Sequence, residues 1–166
     1  MKMPRATRIF RLAAALWLVL VATTCVPTTA VSQHISITAP HAVLLDYRSR
    51  SVLFSRGADE PLLPGSMAKL MTLAVVFDEL KSGKLTLDTE LPVSEHAWRT
   101  GGAPSGTSTM FAAVRSRIRV EDLIIGVAAL SANDACIVLA EGISGSEKAF
   151  AERMTAKARE IGMRST

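Results

Sequence analysis

Two residues near the middle of the chain have the types and the spacing of a nucleophile and its base. Ser66 and Lys69 are three positions apart, so on a helix they lie one above the other on the same face. A serine hydroxyl becomes nucleophilic when a neighbouring base takes its proton, and a lysine can be that base if its surroundings hold it neutral. A helix that begins here also places N–H groups where a negative acyl oxygen would form. The pair predicts serine-type acyl transfer.

This pair alone is a weak signal, because such a match arises by chance about once in a chain of this size. The alternative is an N-cap serine followed by a solvated lysine. The segment from Pro64 to Thr72 reads Pro-Gly-Ser-Met-Ala-Lys-Leu-Met-Thr at the head of an apolar run. That context favours a nucleophile with its base over an N-cap serine with a solvated lysine.

A second group of polar residues, Ser131 and Asn133, lies in a short break between two predicted helices. A hydroxyl there can pass a proton, and an amide can bind both the donor and the acceptor of a peptide-like substrate. The alternative is helix punctuation, with either residue as the N-cap of the next helix. On these residues alone both interpretations stay open.

The element that must carry the first pair is a helix predicted from Ser66 to Leu80, ended by Gly83. Between Ser66 and Phe77 its only charge is Lys69. A helix that is apolar nearly all round is normally buried. We therefore expect a buried central helix, with the lysine either reaching solvent or held for chemistry.

Upstream, two short runs rich in residues that favour strands, 42–47 and 52–55, flank the polar residues 48–51 and predict a β-hairpin. Downstream, residues 85–106 contain several Pro and Gly and predict irregular connections, with a short helix from Glu95 to Trp98. A hairpin alone is marginal in water, so we expect it to belong to a larger antiparallel sheet.

The last third of the chain is predicted to be helical. One helix runs from Val120 to Leu130, and a second runs from Asn133 or Asp134 to Glu141 and stops at Gly142. Residues 144–147, Ser-Gly-Ser-Glu, fit a capping box for a third helix. That helix ends at Gly162 and has an apolar stripe of Phe150, Met154, Ala158 and Ile161.

Residues 1–32 predict a secretory signal peptide. Four basic residues, Lys2, Arg5, Arg8 and Arg11, precede an apolar run, Leu12–Ala22, that is too short to span a bilayer. Cleavage after Ser32 is favoured, cleavage after Ala30 also fits, and the alternative is an uncleaved anchor. We expect an exported protein, periplasmic or otherwise extracytoplasmic, with residues 33–166 forming one domain.

Charge and cysteine content argue against a nucleic-acid-binding protein and against a fold stabilised by disulfides. The chain has 19 basic and 15 acidic residues, and without residues 1–32 the numbers are 15 and 15. The formal neutrality argues against nucleic acid as a partner. Cys25 lies in the predicted signal peptide, so Cys136 is the one cysteine of residues 33–166 and no internal disulfide is expected. Cys136 is interpreted as a core residue.

Together these motifs resemble the penicillin-binding D-alanyl-D-alanine carboxypeptidases of the bacterial cell wall, a serine-type family with a fold like that of β-lactamases and transpeptidases. The segment 66–69, Ser-Met-Ala-Lys, matches the family's Ser-x-x-Lys box, and 131–133, Ser-Ala-Asn, matches its Ser-x-Asn box. The resemblance extends from about His41 to Thr166. Supporting matches are Val93-Ser94-Glu95-His96-Ala97-Trp98, Val120-Glu121-Asp122-Leu123, Asn133-Asp134-Ala135-Cys136 and Gly145-Ser146-Glu147.

This resemblance implies a role for each candidate residue. Ser66 would attack the carbonyl of the penultimate D-alanine of a peptidoglycan stem peptide, with Lys69 as general base. Ser131 would relay the proton to the leaving amine, and Asn133 would bind the substrate's backbone amide. Penicillins and other β-lactams would acylate the same serine. No metal or organic cofactor is implied, and the histidines, His34, His41 and His96, predict neither a zinc site nor a catalytic triad.

The sequence also departs from the family. The third family box, Lys-Thr-Gly on a sheet strand, has no match, so we expect an α+β fold that is truncated: a hairpin of an incomplete antiparallel sheet plus a helical subdomain. Impaired turnover is expected, as is membrane association only through a C-terminal tail that this sequence lacks. The alternatives are a non-catalytic penicillin- or peptidoglycan-binding remnant, a serine β-lactamase relative and a purely structural exported domain.

Two smaller departures concern local structure. Residues 111–116 lack the Pro-Gly turn of the family, and Arg119 stands where a serine or threonine would cap the next helix.

Overall fold

A computed structural model describes residues 36–166 of the chain. The signal peptide predicted at residues 1–32 lies outside the described residues. The described residues divide into two compact units, one that ends at Glu60 and one that comprises Pro61–Thr166. Within the described part, no helix combines the length and the apolar character needed to cross a bilayer.

The first unit contains the predicted hairpin. Strands β1 (Ala42–Leu45) and β2 (Val52–Arg56) pair antiparallel. In the turn, the Asp46 carboxylate accepts hydrogen bonds from the hydroxyl and the backbone N–H of Ser49, both at 2.6 Å. These bonds lower the pKa of Asp46 and fix the turn. The hairpin prediction is confirmed.

The second unit packs helices around a central one. Its α-helices are α1 (Ala68–Lys81), α2 (Glu95–Gly101), α3 (Val120–Leu130), α4 (Asn133–Ser144) and α5 (Glu147–Glu160), and its strands β3 (Glu90–Pro92) and β4 (Arg117–Arg119) pair antiparallel. The other four helices and β3 all contact α4, whose Ala135, Val138 and Leu139 are completely buried. The predicted α+β class is confirmed.

The prediction that α1 is the buried central helix is wrong. Only Thr72, Val75 and Val76 are buried along α1, whereas Leu70 is 72% exposed and Phe77 is 50% exposed. The helix is apolar on more than one face, and residues 61–166 cover only the face that packs on α4, α5 and α3. The position expected for α1 belongs to α4.

Two predicted helix boundaries are also wrong. Helix α4 continues through Gly142 to Ser144, and Gly145, with φ 78°, takes the left-handed position that follows the helix. The N-cap of α5 is Ser146, whose hydroxyl accepts a hydrogen bond from the N–H of Ala149 at 3.2 Å, so residues 144–147 do not form the predicted capping box. A glycine ends a helix only where the chain turns. Gly142 lies inside α4, where the absence of a side chain allows close packing.

The β3–β4 pair and the full length of α2 were not predicted. Each strand has three residues, and only the Leu91–Ile118 pair in the middle is apolar on both strands. Such short runs give no alternating pattern that sequence analysis can detect. The expected lack of a side-chain cap on α3 is confirmed, because its N-cap residue, Arg119, forms no capping hydrogen bond.

Candidate active site

Ser66 and Lys69 are neighbours at the start of α1. Ser66 lies in a 3₁₀ turn, Gly65–Met67, so the α-helix proper begins two residues later than predicted. Gly65 has φ 53°, a value that suits a residue without a side chain. The Nζ of Lys69 lies 3.3 Å from the Oγ of Ser66. The hydroxyl is on the exposed side and the lysine is half-buried.

Ser131 reaches the same lysine from the end of α3. Its backbone is left-handed, with φ 54° and ψ 36°, which is uncommon for a residue with a side chain and is often found at functional sites. This turn brings both oxygens of Ser131 to Lys69: the Nζ is 2.7 Å from the carbonyl oxygen and 3.0 Å from Oγ. Three of the four predicted residues therefore meet, although the two serines are far apart in the sequence.

The three partners of Lys69 are suited to a group that gains and loses a proton. An ammonium has three N–H groups, one for each of these oxygens. The carbonyl oxygen of Ser131 can only accept, so it can bond one N–H of Lys69 whether that group is an ammonium or an amine. Each serine hydroxyl can donate as well as accept. The amine can therefore keep its position while a proton moves between the two serines.

These residues line a shallow cleft of about 180 Å³. Its other walls are apolar, formed by Leu70, Leu73, Val127 and Ala128. A larger groove of about 640 Å³ is lined mainly by apolar residues of α1, α5 and the chain end. It contains none of the side chains of Ser66, Lys69 and Ser131, so residue chemistry rather than size identifies the smaller cleft as the candidate site.

Asn133 is not bonded to Lys69 and does not line that cleft. It is the first residue of α4, and its side-chain Nδ2 donates to the hydroxyl of Thr107 at 2.9 Å. Its backbone N–H donates to the carbonyl oxygen of Ser108 at 2.8 Å. The segment 107–112, which we name the strap, was missed by sequence analysis; its run of Thr and Ser was the available signal.

Two other polar residues stand outside the site. Burial raises the pKa of the Cys136 thiol to about 11, which keeps it protonated and unreactive near neutral pH, in keeping with the predicted core role. His96 lies 2.7 Å from a Glu147 carboxylate oxygen and links α2 to α5. Within residues 36–166 no three histidine, cysteine or carboxylate side chains are grouped closely enough to hold a metal ion.

The chain is similar to known proteins over most of its length. A family model described as D-alanyl-D-alanine carboxypeptidase matches residues 27–166. D-alanyl-D-alanine carboxypeptidase DacC of Escherichia coli is 40% identical over 132 residues, 79% of this chain and 33% of the relative. D-alanyl-D-alanine carboxypeptidase DacF of Bacillus subtilis is 36% identical over 128 residues, which make up 77% of this chain and 32% of the relative. The chain thus spans about a third of the length of these relatives.

A solved structure has the same fold in the region compared. The crystal structure of penicillin binding protein 5 from Haemophilus influenzae is 35% identical and superimposes with a TM-score of 0.74, covering 81% of this chain and 39% of that one. The family match and these identities agree with the two boxes that meet at Lys69. The chain belongs to the D-alanyl-D-alanine carboxypeptidase family.

Proposed function

We propose that this protein is a serine-type D-alanyl-D-alanine carboxypeptidase that acts outside the cytoplasm on peptidoglycan stem peptides. The observation that supports this best is the position of the Lys69 amine within hydrogen-bonding distance of both serine hydroxyls. The names of its relatives supply the substrate class, D-alanyl-D-alanine, and penicillin as a ligand.

In the proposed reaction, the Oγ of Ser66 forms a bond to the carbonyl carbon of the penultimate D-alanine while its proton passes to Lys69. The peptide bond then breaks, and Ser131 delivers a proton from Lys69 to the leaving amine of the terminal D-alanine. The resulting ester on Ser66 is hydrolysed by water. Asn133 binds the backbone amide of the substrate, and no cofactor takes part. A β-lactam acylates Ser66 by the same first step.

The test is covalent labelling of the purified chain by a fluorescent penicillin, read by intact mass. Ser66→Ala should abolish the adduct, and Ser82→Ala, on the exposed end of the same helix region, should not. Lys69→Met should slow labelling by about 10²- to 10⁴-fold, as expected for loss of a general base, while Lys81→Met serves as its matched control. An adduct that persists in Ser66→Ala, or none in a folded wild-type sample, contradicts the proposal.

A second candidate is a binding protein that is acylated without turnover, favoured by the position of Asn133, which is bonded to Thr107 and does not line the cleft of Ser66. Release of D-alanine from a D-Ala-D-Ala peptide distinguishes the two: turnover supports the carboxypeptidase, and a stable adduct without D-alanine release supports the binding protein. Rapid nitrocefin hydrolysis would instead favour a β-lactamase.

A further inference from the structure

The most completely buried charged group of the second unit is the Asp134 carboxylate, which the proposed reaction does not use. Asp134 is the second residue of α4 and has no exposed surface. A buried carboxylate is costly unless donors surround it. Here four groups donate to it: the Thr109 hydroxyl at 2.6 Å and the N–H groups of Ala112, Met110 and Ala135, each at 3.0 Å.

Three of these donors belong to the strap, residues 107–112, which contains no helix or strand. The N–H groups of Met110 and Ala112 therefore take their partners from the carboxylate and not from a backbone ladder. Bonds to a charged acceptor are among the stronger ones in proteins. Asp134 is the group that holds the second half of the strap against the start of α4.

The first half of the strap is bonded to the residue that precedes Asp134. Asn133 donates through its backbone N–H to Ser108 and through its side chain to Thr107. Because Thr107 and Met110 lie on one short segment, the carboxylate that fixes Met110 also limits where the Thr107 hydroxyl can lie. Thr107 is also bonded to the Ser105 hydroxyl, so the partner of the Asn133 amide lies on a segment held by both Ser105 and Asp134.

Helix α2 packs closely against the start of α4. Gly101, at the end of α2, lies so near that an added Cβ would be 2.6 Å from the backbone nitrogen of Asp134. Two elements therefore hold the start of α4: α2 packs against its backbone, and the strap is hydrogen-bonded to the Asp134 carboxylate.

We propose that Asp134 is a positioning residue: by fastening the strap it sets the orientation of Asn133 and so the rate at which Ser66 is acylated. The effect on acylation rests on the proposed function, and the effect on the strap does not. Asp134 acts through Asn133 and touches no substrate.

Hydrogen exchange of the full chain tests the positioning directly. In Asp134→Asn one end of the side chain becomes a donor, so Met110 or Ala112 loses its acceptor and should exchange roughly 10- to 100-fold faster. Amides within α3 and α5 should keep their rates. Unchanged exchange in the strap, or acceleration that is uniform through all helices, overturns the proposal, since the second result indicates global destabilisation.

A milder set of variants links the strap to acylation. Thr109→Val removes the hydroxyl that donates to Asp134 and accepts from the N–H of Phe111, Thr109→Ser keeps it, and Thr155→Val is a matched control at an exposed position of α5. The second-order rate of penicillin labelling should fall about 10-fold in Thr109→Val, on the scale of one hydrogen bond to a charged group, and recover in Thr109→Ser. Equal rates in all three variants contradict the proposal. A wild-type chain without labelling would refute the proposed function, while exchange in the strap would still decide the positioning.

Discussion

Ser131 and Arg115 both have positive φ, 54° and 66°, although neither is glycine. The left-handed region costs a residue with a side chain roughly 1–2 kcal/mol. At Ser131 this cost accompanies a turn that brings two oxygens to Lys69. Arg115 is exposed, and within the described residues its side chain forms no hydrogen bond or ion pair.

Replacing Arg115 by glycine should therefore stabilise the protein. We expect Arg115→Gly to raise the free energy of unfolding by about 1 kcal/mol, since glycine adopts positive φ without a steric penalty. Urea denaturation should show a higher midpoint with an unchanged slope.

Ala156→Gly, at an exposed site within α5, is the control for this prediction and should lower stability by about 0.5–1 kcal/mol. A lower midpoint for Arg115→Gly would mean that the arginine stabilises the turn in some other way.

At the scale of elements, two glycines allow helices to approach their neighbours closely. A Cβ on Gly142 of α4 would lie 2.7 Å from a methyl group of Leu91 in β3. A Cβ on Gly101 would lie 2.6 Å from a backbone nitrogen of α4. The first contact involves the end of a side chain, which can shift, and the second involves backbone, which cannot shift without moving the helix.

Alanine at these two positions should destabilise to different extents. Gly142→Ala should cost about 1–3 kcal/mol by overpacking, although alanine favours helix, and Gly101→Ala should cost more. Adding Leu91→Val should recover part of the loss in Gly142→Ala and none in Gly101→Ala, as measured by a double-mutant cycle in urea. Additive effects in both pairs would contradict the packing argument.

At the scale of the whole molecule, the second unit combines a well-packed core with an open apolar groove. The groove of about 640 Å³ includes Leu70 and Met67 of the α1 region, which are 72% and 61% exposed. An exposed apolar concavity of this size binds apolar dyes, because binding removes its surface from water.

We therefore expect the chain to enhance the fluorescence of 8-anilinonaphthalene-1-sulfonate while it is folded. Leu70→Ser should reduce the enhancement, because Leu70 lines the groove. Leu63→Ser is the matched control, since Leu63 is 93% exposed but does not line the groove. Equal signals from the two variants would show that the dye binds elsewhere.

Local relations were predictable from the sequence because they depend on neighbours along the chain. The pairing of Ser66 with Lys69 follows from helix geometry, the limits of α3 from its acidic first turn and its apolar length, and the β1–β2 hairpin from two β-rich runs around a polar turn. Assigning both boxes to one site required the resemblance to a family, since spacing alone left helix punctuation open for Ser131.

Long-range relations were decided by the tertiary structure, because a sequence pattern records which face of an element is apolar but not what covers it. Which helix is central depended on how many neighbours each one has, so α4 and not α1 is buried. The bonds from Lys69 to Ser131 and from the strap to Asp134 join residues 62 and 22 to 25 positions apart. Chain folding alone brings these groups within hydrogen-bonding distance, and it is there that the candidate site is formed.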